Sequence, residues 1–172
     1  MIRLCHDGDL QDICSIVNDA ALAYRGIIPP DRWHEPYMPL AEVQQEVAAG
    51  VVFWGLEEDG RLIGVMGIQD RGPVTLIRHA YIRSEARGKG IGSLLLRHLE
   101  QLTDKPILVG TWADAVWAIS FYQKNGYRLL PTEEKNRLLR RFWSIPERQV
   151  ETSVVLAGPH WQATVDSPAC RP

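Results

Sequence analysis

At residue 83 the hydrophobic rhythm of the chain changes, and three glycines mark the change. Upstream, apolar residues follow the short runs of β-strands; downstream, Ile91, Leu95, Leu99 and Leu102 recur at helical spacing. The run Arg83-Ser84-Glu85-Ala86-Arg87-Gly88-Lys89-Gly90-Ile91-Gly92 joins the two patterns. A helix start exposes unpaired backbone N–H groups and the positive end of the macrodipole. Glycine lets that backbone approach an anion without side-chain obstruction. The turn therefore suits a phosphate or pyrophosphate, with Arg87 and Lys89 adding charge beside it.

The elements around this turn set the fold class. Ile2 to Cys5 reads as a short strand, followed by a helix with Asp7 and Asp9 at its start and Leu10, Ile13, Val17, Ala21 and Tyr24 on one stripe. Arg25 to Pro30 breaks it, a Trp33/Tyr37 segment follows, and Leu40, Val43 and Val47 mark a second helix closed by Gly50. Val51–Glu57 and Leu62–Gln69 are strands joined by Glu58-Asp59-Gly60-Arg61, where Asp-Gly favours a hairpin. Gly72-Pro73 turns the chain into a fourth strand, Val74–Ile82. After the glycine turn and its helix, Pro106–Thr111 is a fifth strand. Asp114 offers a cap for a helix bearing Ala115, Ala118, Ile119 and Tyr122, and Gly126 stops it. Tyr127–Leu130 reads as a strand, Thr132–Phe142 as a helix and Glu151–Ala157 as a last strand. A whole helix separates the fourth and fifth strands, so that pair is parallel while the meander before it is antiparallel. The expected class is α/β with one mixed sheet. Residues 1–157 form one domain and 158–172 a loosely ordered tail.

Composition narrows the partners. A net charge of −2 gives no reason to expect nucleic acid or a membrane surface. No run approaches the roughly twenty apolar residues of a membrane span, and the first residues enter an amphipathic pattern with no secretory segment. Cys5, Cys14 and Cys170 match no metal spacing, read as small buried hydrophobes, and fit a reducing cytoplasm.

Phosphate loops differ in the residues that come after their glycines. A Walker loop requires Gly-Lys-Ser/Thr, whereas Gly90 precedes Ile91; a dinucleotide fingerprint needs a small residue one step beyond Gly92, where Ser93 stands. That fingerprint also belongs early in a parallel unit, not after a meander. The run Arg87-x-x-Gly90-x-Gly92 instead resembles the acetyl-coenzyme A pyrophosphate signature of the GNAT superfamily, (Gln/Arg)-x-x-Gly-x-(Gly/Ala). One strand downstream, Ala118-Ile119-Ser120-Phe121-Tyr122-Gln123-Lys124-Asn125-Gly126-Tyr127 is similar to the second signature of that family. The resemblance spans about Met1 to Ala157. It implies six or seven strands with four to five helices, splayed fourth and fifth strands, and a cofactor arm lying along Tyr81, Ile82 and Arg83. It places the pyrophosphate on Gly88, Lys89, Gly90, Ile91, Gly92 and Ser93, beside Arg87. Where the family often carries Asn this chain has Ala115, which puts one pantetheine contact in doubt; Asp114 is adjacent.

The implied reaction is acetyl transfer from acetyl-coenzyme A to an amine, without a metal. The family uses a tyrosine at the place of Tyr122 to protonate the departing sulfur, and a phenol stays protonated at neutral pH. Backbone N–H of Ile82 is the expected oxyanion donor. His79 is the candidate base, although simple alternation sets it on the opposite face from Ile82 unless a bulge intervenes; a packed histidine is the competing reading. Glu57, Glu58 and Asp70 could act through water, and Arg78 is either a substrate contact or a paired strand arginine. Tyr24, Arg25, Trp33, His34, Glu35, Tyr37, Trp112, Trp117, Arg141, Trp143 and Arg148 frame the acceptor or serve as core and dimer surface. Arg137, Arg140 and Arg141 form a basic helix face. The acceptor itself is not specified by the sequence. A catalytically silent acyl-coenzyme A-binding module is the alternative function, and a homodimer is consistent with the family.

Overall fold

The computed structural model describes residues 1–163. Seven strands form one sheet in the order β1-β2-β3-β4-β5-β7-β6. They are β1 (Ile2–Leu4), β2 (Val51–Glu58), β3 (Arg61–Asp70), β4 (Thr75–Ile82), β5 (Ile107–Trp112), β6 (Arg128–Leu129) and β7 (Ser153–Ala157). The helices are α1 (Leu10–Ala21), α2 (Leu40–Ala48), α3 (Ile91–Glu100), α4 (Val116–Lys124), α5 (Thr132–Phe142) and α6 (Glu147–Glu151). The β4–β5 pair is parallel and its neighbours β3–β4 and β5–β7 are antiparallel, as the intervening helix requires.

The sheet is covered on both faces. Leu95, Leu96 and Leu99 of α3 pack with Met66, Ile77 and Val109 on one face. On the other, Ile13, Ile16 and Val17 of α1 and Val43 of α2 pack on Phe53 and Val65, while Leu138 and Leu139 of α5 cover Leu76, Leu108 and Val155.

Several boundaries differ from the sequence reading. Asp114 does not cap α4: the helix starts at Val116 behind Ala115, without a side-chain cap. Residues 147–151 are helical, with Pro146 at the N-cap, so the last strand begins at Ser153. The segment after Ala157, expected to be loose, is anchored as far as it is described. Trp161 is buried against the α5 core, its indole N–H donates to Glu134 (2.9 Å), and its carbonyl accepts from Arg128 (2.9 Å). Cys170 lies outside the described residues.

The sheet has two irregularities that shape the middle of the molecule. The β4–β5 ladder runs from Thr75/Ile107 to Ile77/Val109 and stops, although both strands continue. Opposite that gap, the β3–β4 register jumps from Gly67/Arg78 to Val65/Tyr81, so His79 and Ala80 together face Met66 alone. This is a β-bulge, and His79 takes the left-handed φ of +51° that absorbs the extra residue. Gly67 makes room for it: a Cβ there would lie 2.9 Å from the Arg78 carbonyl oxygen and 2.7 Å from Val51. Because a backbone carbonyl cannot rotate away, we expect Gly67→Ala to destabilise the protein by about 1–3 kcal/mol, the usual range for overpacking, read as a lower urea midpoint.

Candidate active site

The gap opens into a cavity of about 1110 Å³ lined by residues from both sides of the sheet. Its position follows from the interrupted ladder, since strands that diverge leave backbone and volume between them.

The glycine turn forms one end. Gly90 holds φ +76° as the N-cap of α3, Gly88 holds φ +77°, and nothing lies within 4 Å of where either Cβ would be. Gly92 is used for close packing, its notional Cβ 3.1 Å from Phe121. Gly88, Gly90, Ile91, Gly92 and Ser93 line the cavity with Tyr81 and Ile82. The helix start, its open glycines and the adjoining volume fit a pyrophosphate on physical grounds. Three nominated residues behave differently. Arg87 lines the cavity, but its guanidinium donates to the Ala20 carbonyl at the end of α1 (2.8 Å). Lys89 is not among the lining residues. Arg83 is buried elsewhere, bonded to the Leu62 carbonyl (2.9 Å) and Ser15 (3.2 Å), so it braces β3 against α1.

Backbone direction along β4 is set by the bulge. Arg83 N–H donates to Ile63 of β3 (2.9 Å), so alternation turns the Ile82 N–H toward the opposite edge, into the gap. At the start of the strand Thr75 N–H points to that same edge, donating to Pro106 (3.0 Å). Strict alternation from Thr75 would have turned Ile82 back toward β3; the extra residue reverses its sense.

The side chain of His79 obeys the same logic. It lies on the α2 side with Arg78, opposite Ile82, stacked on Phe53 at 5.8 Å. Its Nε2 is 3.0 Å from Glu46 Oε2, which also accepts from Arg78 (2.9 Å); Arg78 completes its bonding on Gln69 (2.8 Å). All of Glu46, Arg78 and His79 line the cavity. Burial works against the Glu46 carboxylate, but the His79 hydrogen bond and the charges of His79 and Arg78 outweigh it and hold its pKa below the ordinary value. An ionised carboxylate only accepts, so Nε2 carries the hydrogen and Nδ1 is the ring's acceptor. The bulge thus supplies a cavity-wall histidine with an orienting carboxylate. Sequence reasoning does not single out Glu46, although Glu42 and Glu46 stand four apart beside Val43 on a helix that must face the sheet.

Tyr122 lines the cavity from α4 and is buried, packed against Phe121 (5.0 Å) and Tyr127 (5.7 Å). Burial pushes its phenol pKa up, with a smaller contribution from Tyr24. The far end is aromatic: Tyr37 stacks on Trp33 (5.5 Å) and Tyr24 (6.2 Å), and Trp117 lies 5.2 Å from Tyr24. Trp112 donates to the Tyr37 hydroxyl (3.3 Å), and burial raises the Tyr24 pKa to about 12. Tyr24, His34, Tyr37, Trp112, Trp117 and Trp143 line the cavity; Trp33 reaches it only through Tyr37. The other nominated groups serve elsewhere. Glu57 pairs with Arg3 (2.6 Å), Asp70 with Lys105 (2.5 Å), Arg25 with Glu35, Arg140 with Glu147, and Arg148 with Asp31 (3.3 Å). Arg141 lies over the Phe142 ring at 4.9 Å. Glu58, Asp114, Ala115 and Arg137 are not among the lining residues. Among the described residues no cluster of metal-ligating side chains occurs, and no helix is long and apolar enough to cross a membrane.

Comparison with known proteins agrees with this geometry. Residues 49–129 match the family model described as an acetyltransferase (GNAT) domain, a segment that contains the meander, the bulge, the glycine turn and α4. No curated protein matches the sequence. Among solved structures, the PaiA N-acetyltransferase of Thermoplasma acidophilum in complex with coenzyme A superposes with a TM-score of 0.69 at 19% identity, covering 92% of this chain and 97% of that one. An acetyltransferase of Streptococcus agalactiae 2603 gives 0.70 at 13% identity over 92% and 96%. A ribosomal-protein-alanine N-acetyltransferase of Brucella melitensis gives 0.60 at 23% over 76% and 86%. At these identities the structures establish the fold. Together with the family match over residues 49–129 they show a chain with the fold of the GNAT acetyltransferases.

The Glu46 pairing has a pH signature. A carboxylate whose folded pKa lies below its unfolded value adds stability that is present above the unfolded pKa and lost as pH falls through the folded one. Glu46→Gln should therefore lower stability at pH 7 by about 1.5–3 kcal/mol, the range for a hydrogen bond to a charged group. The difference from wild type should shrink as the pH falls below about 4.5, measured by urea unfolding across pH.

Proposed function

We propose that the chain transfers an acetyl group from acetyl-coenzyme A to an amine by direct attack. The observation that supports this reading is the convergence, on one cavity, of an open-glycine helix start, an unpaired strand edge, a buried tyrosine and a carboxylate-oriented histidine. Acetyl-coenzyme A supplies the thioester; the chain holds its pyrophosphate on residues 88–93 and its arm along Tyr81 and Ile82.

The residues then divide the proton chemistry. His79, with Nε2 committed to Glu46, takes the proton of the acceptor ammonium at Nδ1, directly or through water, leaving the amine lone pair free to attack. The Ile82 N–H donates to the carbonyl oxygen as negative charge grows there. As the C–N bond forms and the C–S bond breaks, Tyr122 gives its proton to the sulfur. The surplus proton of the new amide nitrogen returns to the Tyr122 phenolate, and the His79 imidazolium releases its proton to solvent, so both groups end as they began. Burial keeps Tyr122 protonated until that moment, and the Glu46 carboxylate accepts a hydrogen bond from the imidazolium that forms. The cytoplasm is the compartment that suits the free thiols of Cys5 and Cys14, and a homodimer remains compatible with the family.

Two measurements test the assignment. Tyr122→Phe should lower kcat for thiol release by about a hundredfold or more, as expected for a lost general acid, with coenzyme A affinity unchanged. His79→Gln should lower kcat/KM where the acceptor amine is protonated in solution, and the deficit should close as the pH rises through the amine's own pKa. Tight acetyl-coenzyme A binding with no thiol release across amines, amino acids, polyamines and peptides would favour a silent binding module instead.

A further inference from the structure

The acceptor end of the cavity carries a charge pattern that the acetyl-transfer reading leaves unused. Arg78 and Glu46 neutralise each other there, and His79 is held by the same carboxylate. Arg87 stands at the glycine turn, bonded to the Ala20 carbonyl, and Lys124 at the C-terminal end of α4, the end away from Trp117. Two charged lining residues remain, Arg32 and Glu42. Among the described residues neither has an ion-pair partner. Arg32 makes a single long hydrogen bond, from a terminal nitrogen to Gln149 (3.4 Å), and its Nε is buried with no partner at all. An orphaned guanidinium nitrogen costs free energy unless something fills its place. The 3₁₀ turn that carries Arg32 lies beside α6, joined to it by the Asp31–Arg148 pair and the Arg32–Gln149 bond.

Arg32, Glu42 and Tyr37 all line the cavity. Both charges act on the Tyr37 hydroxyl, Glu42 raising its pKa and Arg32 lowering it, with burial the largest influence. The wall around that hydroxyl is made by the rings of Tyr37, Tyr24 and Trp112, with Trp33 stacked behind Tyr37. One unpaired cation, one unpaired anion and flat apolar walls are complementary to a molecule with the same three features. A polyamine would satisfy Glu42 and the rings but meet Arg32 as a like charge. A dicarboxylate would do the reverse.

We propose that the acceptor is a zwitterionic amino acid with a flat apolar side chain, its carboxylate docked on the Arg32 guanidinium and its ammonium end toward Glu42. This rests on the acetyl-transfer reading for its amine chemistry, but the binding claim stands on the charges alone. It also gives product release a cause: acetylation removes the positive charge, so the product meets Glu42 without an attractive partner.

Calorimetry without turnover tests the inference, using L-phenylalanine, phenethylamine, N-acetyl-L-phenylalanine and spermidine as probes, with coenzyme A present and absent. L-phenylalanine should bind at least about tenfold more tightly than phenethylamine or the N-acetyl derivative, the worth of one charge-assisted contact. Arg32→Gln should erase the preference over phenethylamine, and Arg32→Lys should restore part of it. The melting temperature and coenzyme A affinity of both variants report that the fold is intact. Equal or tighter binding of phenethylamine or spermidine, no binding of L-phenylalanine, or an undiminished preference in Arg32→Gln would each overturn the inference. Binding of L-phenylalanine without thiol release from acetyl-coenzyme A would uphold it while refuting acetyl transfer.

Discussion

The structure depends on a ladder that stops early. β4 and β5 pair from Thr75/Ile107 to Ile77/Val109 and then part, leaving strand edges that do not satisfy one another. Unpaired backbone groups inside a protein are costly, and a fold keeps them where a ligand or water completes the bonding. Here the divergence makes the cavity, puts its unpaired edge beside the glycine turn, and lets one opening reach both faces of the sheet. Closing the ladder would pair the edges and abolish the site while leaving the layers of the fold intact.

The bulge at His79 completes what the gap begins. One extra residue sets Arg78 and His79 side by side facing α2, and it turns the Ile82 N–H into the gap. The same displacement therefore serves two functions, the placing of a titratable side chain and the aiming of a backbone donor. A histidine held at positive φ is an uncommon conformation for a residue with a side chain. Packing on Phe53, the Glu46 bond and the room left by Gly67 hold it there. On the far side of the gap Tyr122 is buried between the rings of Phe121 and Tyr127.

Much of this is legible in the residues. Period and turn chemistry locate the meander, the glycine turn and the helix after it, and a whole helix between strands four and five dictates their parallel pairing. The spacing Arg87-x-x-Gly90-x-Gly92 identifies the turn that opens on the cavity. The features that escape such reading depend on contacts between distant segments. No local pattern announces a bulge at His79, since Arg78-His79-Ala80 reads as ordinary strand. Glu46, Glu42 and Arg32 look like solvated charges until α2 and the 3₁₀ turn are laid against β4 and α6. Arg83 and Lys89 sit in the motif, but one is drawn to α1 by buried hydrogen bonds and the other is not among the lining residues. Trp161 shows the converse, where a segment rich in turn residues is pinned by one indole finding Glu134 and the α5 core.

The central claim, that the unpaired edge of β4 and the glycine turn together receive coenzyme A, is tested most directly by amide hydrogen exchange with and without coenzyme A. The account predicts slowed exchange at Ile82 and across Gly88 to Ser93, with the fully paired amides of β2 unchanged. Exchange at Ile82 and the glycine turn that is indifferent to saturating coenzyme A, or protection confined to another surface, would contradict it.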